Sequence, residues 1–258
     1  MISLEDLRNI ARVKSISNMG YAEKDYLIDL ILFSISKNTK DELVFKGGTC
    51  LYKIYKINRF SEDIDFSAVK EIDLGNLINK IIIDLRLFGI EATTKEKKER
   101  YNTTLIALHA KGPLYNGNSN SLCNIRIDIN TKSEVNFKPV LHRYNSLYSE
   151  ISEYSLLVMS KEEILAEKIR AIINRDKARD VYDLWFLLEN GVKIDKSLIE
   201  KKLKYYEKMF DYSEFIKRIK DKKKLWGVEI VRWIMGQVPY FKVVEETIIK
   251  KTRGLKYT

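Results

Sequence analysis

The 258-residue chain carries 46 Lys and Arg against 36 Asp and Glu, and 45% of its residues are hydrophobic. That apolar share supports a sizeable folded core and argues against disorder, while the scarcity of Gly (11) and Pro (3) disfavours an all-β sandwich with many tight turns. The net charge of +10 fits a polyanionic partner such as nucleic acid, although a lysine-rich codon usage gives the same excess.

From the amino terminus, Ser3-Leu-Glu-Asp6 reads as a capping box opening a first helix. The start MISLEDLRNIARV lacks the cationic lead and continuous apolar run of a secretory signal. A second helical pattern covers 22–37, where LIDLILFSI is interrupted by Asp29 and is too short to span a bilayer. The expectation is a soluble cytoplasmic protein with no membrane partner. Cys50 and Cys123 are too few for a disulfide framework or zinc cluster and are expected to be free thiols.

LVF at 43–45 predicts a short buried strand broken by Gly47-Gly48, followed by helical periodicity over 49–56. Residues 63–67 alternate polar and apolar as a half-buried strand does, and 74–88 form an amphipathic helix ended by Gly89. Alternating runs in 90–112 and 122–131, joined by GPLYNGNSNS, predict antiparallel strands. A tyrosine-rich connection over 139–154 and the strand SLLVM follow. At Ser160 a second capping box, SKEE, begins helices near 161–174, 178–189, 195–209, 212–223, 228–236 and 241–252. The fold class is α+β: a mixed sheet with flanking helices over 1–155, and an all-helical carboxy-terminal part over 156–258.

The chemistry concentrates in two stretches. On the strand at 63–67, Asp63 and Asp65 share one face while Ile64 and Phe66 share the other. In CNIRIDIN the isoleucines at 125, 127 and 129 form one face, and Arg126, Asp128 and Asn130 the opposite one. Should the two strands be neighbours, Asp128 joins Asp63 and Asp65 in a cluster whose repulsion a hard divalent cation relieves, with substrate phosphates completing its shell. Taken alone, a DxD more often solvates an exposed strand face. The turn Gly47-Gly48-Thr49 between strand and helix changes that balance. Glycines let a phosphate approach the backbone, the Thr49 hydroxyl is a further donor, and Lys46 and Arg59 flank the site as cations or as solvated loop residues. Ser61, two residues before Asp63, either hydrogen-bonds a phosphate or ends the loop. His109 and His142 lack ligand spacing.

In the second stretch, Leu165, Lys168, Ile169 and Ile172 follow helical spacing, so Lys168 falls within an apolar stripe, where it is costly unless paired or directed into a cleft. Asp180 and Asp183 face inward on the next helix. A structural salt bridge from Lys168 to Asp180 and a place in a phosphate site both fit. KDKKK at 220–224 reads as a solvated face, and Tyr205, Tyr206, Trp226 and Trp233 either pack in the core or stack on unpaired bases.

A GG[ST] turn, a helix and a DxD on the next strand resemble the nucleotidyltransferase fold of DNA polymerase beta; positions 50–62 separate Thr49 from Asp63. LVFKGGTCLYKIY…RFSEDIDFS with LAEKIRAIINRDKARDVYDLWFLL resembles the AbiEii/AbiGii-type nucleotidyltransferase toxins. The resemblance implies Asp63, Asp65 and Asp128 as ligands of Mg²⁺ (or Mn²⁺), with Asp128 also positioning or deprotonating the acceptor hydroxyl. Lys46, Gly47, Gly48, Thr49 and Ser61 would hold the triphosphate of an NTP. Lys168 would offset the leaving pyrophosphate, and Asp180 and Asp183 would lie near the acceptor or its base. It also implies an RNA acceptor, the tRNA 3′ end foremost, a block to translation during phage infection, and a cognate antitoxin. Alternatives from other classes are a transferase acting on small molecules such as antibiotics, and a non-catalytic nucleotide- or RNA-binding protein.

Overall fold

The computed structural model describes residues 1–100, 102–132 and 135–256. Among these, strands β1 (Leu43–Lys46), β2 (Asp63–Ala68), β3 (Glu91–Arg100), β4 (Thr103–Lys111), β5 (Cys123–Asn130), β6 (Val140–Tyr144) and β7 (Tyr154–Val158) form one sheet in the order β3-β4-β5-β2-β1-β7-β6. The sheet is mixed. β2 pairs antiparallel with β1 and parallel with β5, and β5 pairs antiparallel with β4. The expected α+β class is therefore what the chain adopts.

One strand departs from expectation. β6 lies inside the tyrosine-rich stretch read as a connection; it is an edge strand with Val140 and Leu141 exposed, so no clean inside-outside alternation marks it. β3 reads KEKKER at its end, a charged edge that discourages pairing with another chain. Position 101, within the predicted 90–112 stretch, lies outside the described residues.

The chain divides into two compact units. The first comprises Met1–Lys56, Phe60–Val135 and Pro139–Val158; the second comprises Ile57–Arg59, Asn136–Lys138 and the chain from Met159 on. In the first unit, helices α1 (Leu4–Val13), α2 (Met19–Asn38), α3 (Gly47–Lys53) and α4 (Leu74–Leu87) accompany the sheet. Ile64 and Phe66 of β2 and Ile125, Ile127 and Ile129 of β5 are buried to 1% exposure or less. Each such side chain contributes about 1.5–3 kcal/mol of transfer free energy, and this apolar face fixes which way the polar face of each strand must point.

Beneath α3 the core holds charge. Asp25 and Asp29 of α2 are fully buried, and Lys53 at the end of α3 lies 2.6 Å from each carboxylate. Lys14 reaches Asp25 at 2.5 Å; the Tyr148 hydroxyl donates to Asp25 at 2.8 Å and the Ser146 hydroxyl to Asp29 at 2.7 Å. Burial opposes ionisation of Asp25, but Lys53 and Lys14 outweigh it and hold this carboxyl below its ordinary range.

In the second unit, α5 (Lys161–Asn174), α6 (Ala178–Glu189), α7 (Lys196–Lys204), α8 (Tyr212–Asp221) and a last helix, Phe241–Thr252, form a helical body. The Ser160 side chain caps α5 through the Glu163 N–H, as SKEE predicts. The Glu163 carboxylate does not complete the box: it is fully buried, accepts from the backbone N–H groups of Asn136 and Phe137, and pairs with Lys202 at 2.5 Å. The predicted helix at 228–236 is instead a π-helical turn, Trp226–Ile230, and a short helix, Val231–Trp233, with both tryptophans buried.

Replacing Lys53 by Met is expected to destabilise the fold by about 3–5 kcal/mol, since two carboxylates stay buried without their shared cation. Asp25 has a folded pKa below its unfolded value of about 3.9. Its contribution is thus present above about pH 4 and is lost as pH falls toward the folded pKa. Urea midpoints across pH 2–7 should show that acid limb in the native chain and a smaller one in Lys53→Met.

Candidate active site

Gly47 opens α3 with φ at +75°, a backbone that L side chains rarely adopt, so the turn from strand to helix requires glycine there. Register then sets its neighbour: Lys46 pairs with Asp65 across β1 and β2. A Cβ added to Gly47 would run into the Asp65 carboxylate. The phosphate-type turn and one acid of the DxD are thus in direct contact. Thr49 is fully buried and its hydroxyl donates to the backbone carbonyl of Asp63, so that group staples the turn to β2 rather than facing the open side of the strand.

The parallel pairing of β2 with β5 sets Asp65 beside Asp128 and Asp63 beside Arg126. Asp63, Asp65 and Asp128 are all half-buried, alternating with fully buried isoleucines, and so share the face expected of them. Burial raises the Asp128 carboxyl above its ordinary range; the negative charge of Asp63 adds to this, and Arg126 partly offsets it. Arg126 grips Asp63 with two bonds, Nε to Oδ1 at 2.8 Å and Nη2 to Oδ2 at 3.0 Å. Strand alternation alone puts Arg126 on this face, two residues before Asp128, and names no partner for it. Lys46 is 9% and Ser61 7% exposed in the same unit.

Within the second unit, Lys168 lies 3.1 Å from Asp180 and 2.6 Å from Asp183, at 7% exposure. Arg175 of the loop between α5 and α6 grips Asp180 at 2.7 and 2.9 Å. Arg59 grips Asp183 at 2.5 and 2.6 Å and is 1% exposed, which corrects its reading as a loop cation flanking the phosphates. Burial again works against both carboxylates. Lys168 and Arg175 hold Asp180, and Arg59 and Lys168 hold Asp183, below the ordinary carboxyl range. The expected salt bridge of Lys168 to Asp180 is present, widened to both aspartates of RDVYD.

A family model for the nucleotidyl transferase AbiEii toxin of type IV toxin–antitoxin systems matches residues 30–237. The chain belongs to the AbiEii nucleotidyltransferase toxin family. It is accordingly a nucleotidyltransferase toxin, and its family implies a cognate antitoxin. The fold of this AbiEii toxin is similar to that of MenT4, a nucleotidyltransferase toxin from Mycobacterium tuberculosis (TM-score 0.69, 18% identity, covering 98% of this chain and 90% of that one). It is also similar to a putative nucleotidyltransferase from H. pylori (0.62, 18%, 90% and 93%) and to JHP933 from Helicobacter pylori (0.59, 18%, 92% and 91%). A search of curated proteins gave no match. Among the described residues no helix is long and apolar enough to cross a membrane.

The donor set of the AbiEii toxin bears on the metal that such a site implies. Among the described residues no three His, Cys, Asp or Glu side chains close into a metal-holding group, so an all-protein cage is not what these residues offer. Asp65 and Asp128 on one face, with Asp63 held by Arg126, suit a small hard cation that keeps water or phosphate oxygens in most of its shell.

Gly47→Ala is expected to cost about 1–3 kcal/mol of stability through its positive φ and to displace the Asp65 carboxylate. Thermal melting and nucleotidyl-transfer assays on the purified variant check this. Native-like activity would show that the contact is not needed.

Proposed function

We propose that this AbiEii toxin transfers a nucleoside monophosphate from an NTP to the 3′ hydroxyl of an RNA, the tRNA 3′ end foremost, and so blocks translation, with cell arrest during phage infection as the outcome. The observation that carries the reading is the one polar face that Asp63, Asp65 and Asp128 share, with Asp65 beside Asp128 and the Gly47 backbone against Asp65. The basic composition supports a polyanionic acceptor over a cationic small molecule.

In the proposed reaction the acceptor hydroxyl forms a bond to the α-phosphorus of the NTP, the bond to the bridging oxygen breaks, and pyrophosphate leaves. Gly47 and Gly48 let the phosphates come close to the backbone, with Lys46 supplying positive charge. Asp128, with its carboxyl pushed up by burial and by Asp63, is suited to take the proton from the attacking hydroxyl. What a bound Mg²⁺ or Mn²⁺, held by Asp65 and Asp128 with Asp63, would supply is neutralisation of phosphate charge. Arg126 grips the Asp63 carboxylate through Nε and Nη2 and offsets part of the negative charge on this face. Lys168 is paired with both Asp180 and Asp183 in the second unit; the role proposed for it, offsetting charge on the leaving pyrophosphate, rests on the family resemblance.

The test is incubation with Mg²⁺, each labelled NTP in turn and total cellular RNA. Label is expected in tRNA, and Asp63→Ala or Asp65→Ala should lower transfer by about a hundredfold or more. Asp128→Asn should likewise lower transfer, because the proton of the attacking hydroxyl then has no carboxylate to go to. Undiminished transfer by Asp63→Ala, or none with any NTP, would overturn the reading.

A further inference from the structure

The chain's net charge is not spread along it. The residues of the second unit hold 26 Lys and Arg against 16 Asp and Glu, whereas those of the first hold 20 of each, so the whole excess of +10 belongs to the helical unit. Within that unit the aromatic residues separate into two sets. Trp226 and Trp233 are 5% and 9% exposed, and Trp226 donates to the Pro239 carbonyl at 3.0 Å. They are core. Tyr205 and Tyr206, just past the end of α7, are 36% and 43% exposed.

These two tyrosines form a built surface. Their rings meet edge to face, with centroids 5.0 Å apart and planes at 69°. The Arg170 guanidinium of α5 lies over the Tyr206 ring at 4.7 Å, and the buried Arg170 Nε has no hydrogen-bond partner. Glu207 adopts φ at +56°, turning the chain sharply at the pair. Lys201, Lys204 and Lys208, all exposed, flank it, and none of the three is in an ion pair among the described residues. Aromatic rings held in place amid unneutralised lysines are the elements with which proteins bind single-stranded nucleic acid, rings under the bases and ammonium groups on the phosphates.

We infer that Tyr205, Tyr206 and Arg170, with Lys201, Lys204 and Lys208, form a docking platform for an unpaired stretch of the RNA acceptor. The inference rests on the RNA-acceptor reading above and adds where, and in which form, the RNA is gripped. A duplex keeps its bases stacked on one another and offers this platform phosphates only, so single-stranded RNA is the matching ligand.

The experiment measures binding of the full chain to a fluorescently labelled, unstructured RNA oligonucleotide and to the same sequence in a duplex, over a range of salt. Tyr205→Ala with Tyr206→Ala should weaken single-strand binding by about tenfold or more and leave duplex binding and the melting temperature unchanged. The Phe pair should retain affinity, because a phenyl ring stacks as well. Lys201→Ala, Lys204→Ala and Lys208→Ala together should lower the slope of log K against log salt by about 2. Native RNA affinity in the double Ala variant would overturn the platform and leave the acceptor reading standing. Failure of the unsubstituted chain to bind any RNA would overturn both. Intact RNA binding in the Ala variant with loss of neutralisation by the antitoxin would also overturn the platform, assigning the tyrosines to a protein partner.

Discussion

The contact between Gly47 and the Asp65 carboxylate is the constraint on which the candidate site depends. It follows from a register: β1 runs antiparallel to β2 with Lys46 opposite Asp65, and the chain leaves β1 through a left-handed glycine against which the Asp65 side chain packs. One residue of slip would turn Asp63 and Asp65 inward and Ile64 and Phe66 out. The buried isoleucines and phenylalanine therefore choose the face, and the glycine allows the turn to close on it. The neighbouring parallel strand obeys the same alternation, and this brings Asp128 beside Asp65 and Arg126 beside Asp63.

Both motif-bearing segments are fixed by charge buried in the core. In the first unit, Lys53 ties α3 to Asp25 and Asp29 of α2. In the second, Arg59, Lys168 and Arg175 converge on Asp180 and Asp183. Buried pairs carry a desolvation cost that their attraction repays only when geometry is good, and breaking one partner is far worse than keeping both.

Much of this was legible in the sequence because it followed from periodicity. The alternation in β2 and β5 put three acids on one face, and helical spacing put Lys168, Asp180 and Asp183 inside. Resemblance supplied the family, which the match over residues 30–237 establishes. What pattern could not show was pairing between distant residues. Arg126 with Asp63 and Arg59 with Asp183 are 63 and 124 positions apart, and either arginine reads as a solvated cation until its partner is placed. Asp29 looked like an interruption in an apolar run; it is a buried partner of Lys53. The edge strand β6 escaped because an exposed edge loses the alternation that identifies a strand. Tyr205 and Tyr206 follow helical spacing as core residues do, and only their exposure separates them from Trp226 and Trp233.

In the proposed site one face of the sheet binds cation and triphosphate jointly, neither well without the other. The direct measurement is Mn²⁺ binding, by electron paramagnetic resonance, with and without a non-hydrolysable NTP analogue, for the native chain and for Asp65→Asn. Weak binding of Mn²⁺ alone is expected, with strong binding once the analogue is present and loss of that enhancement in Asp65→Asn. Tight Mn²⁺ binding without nucleotide, or an enhancement that survives Asp65→Asn, would contradict joint binding.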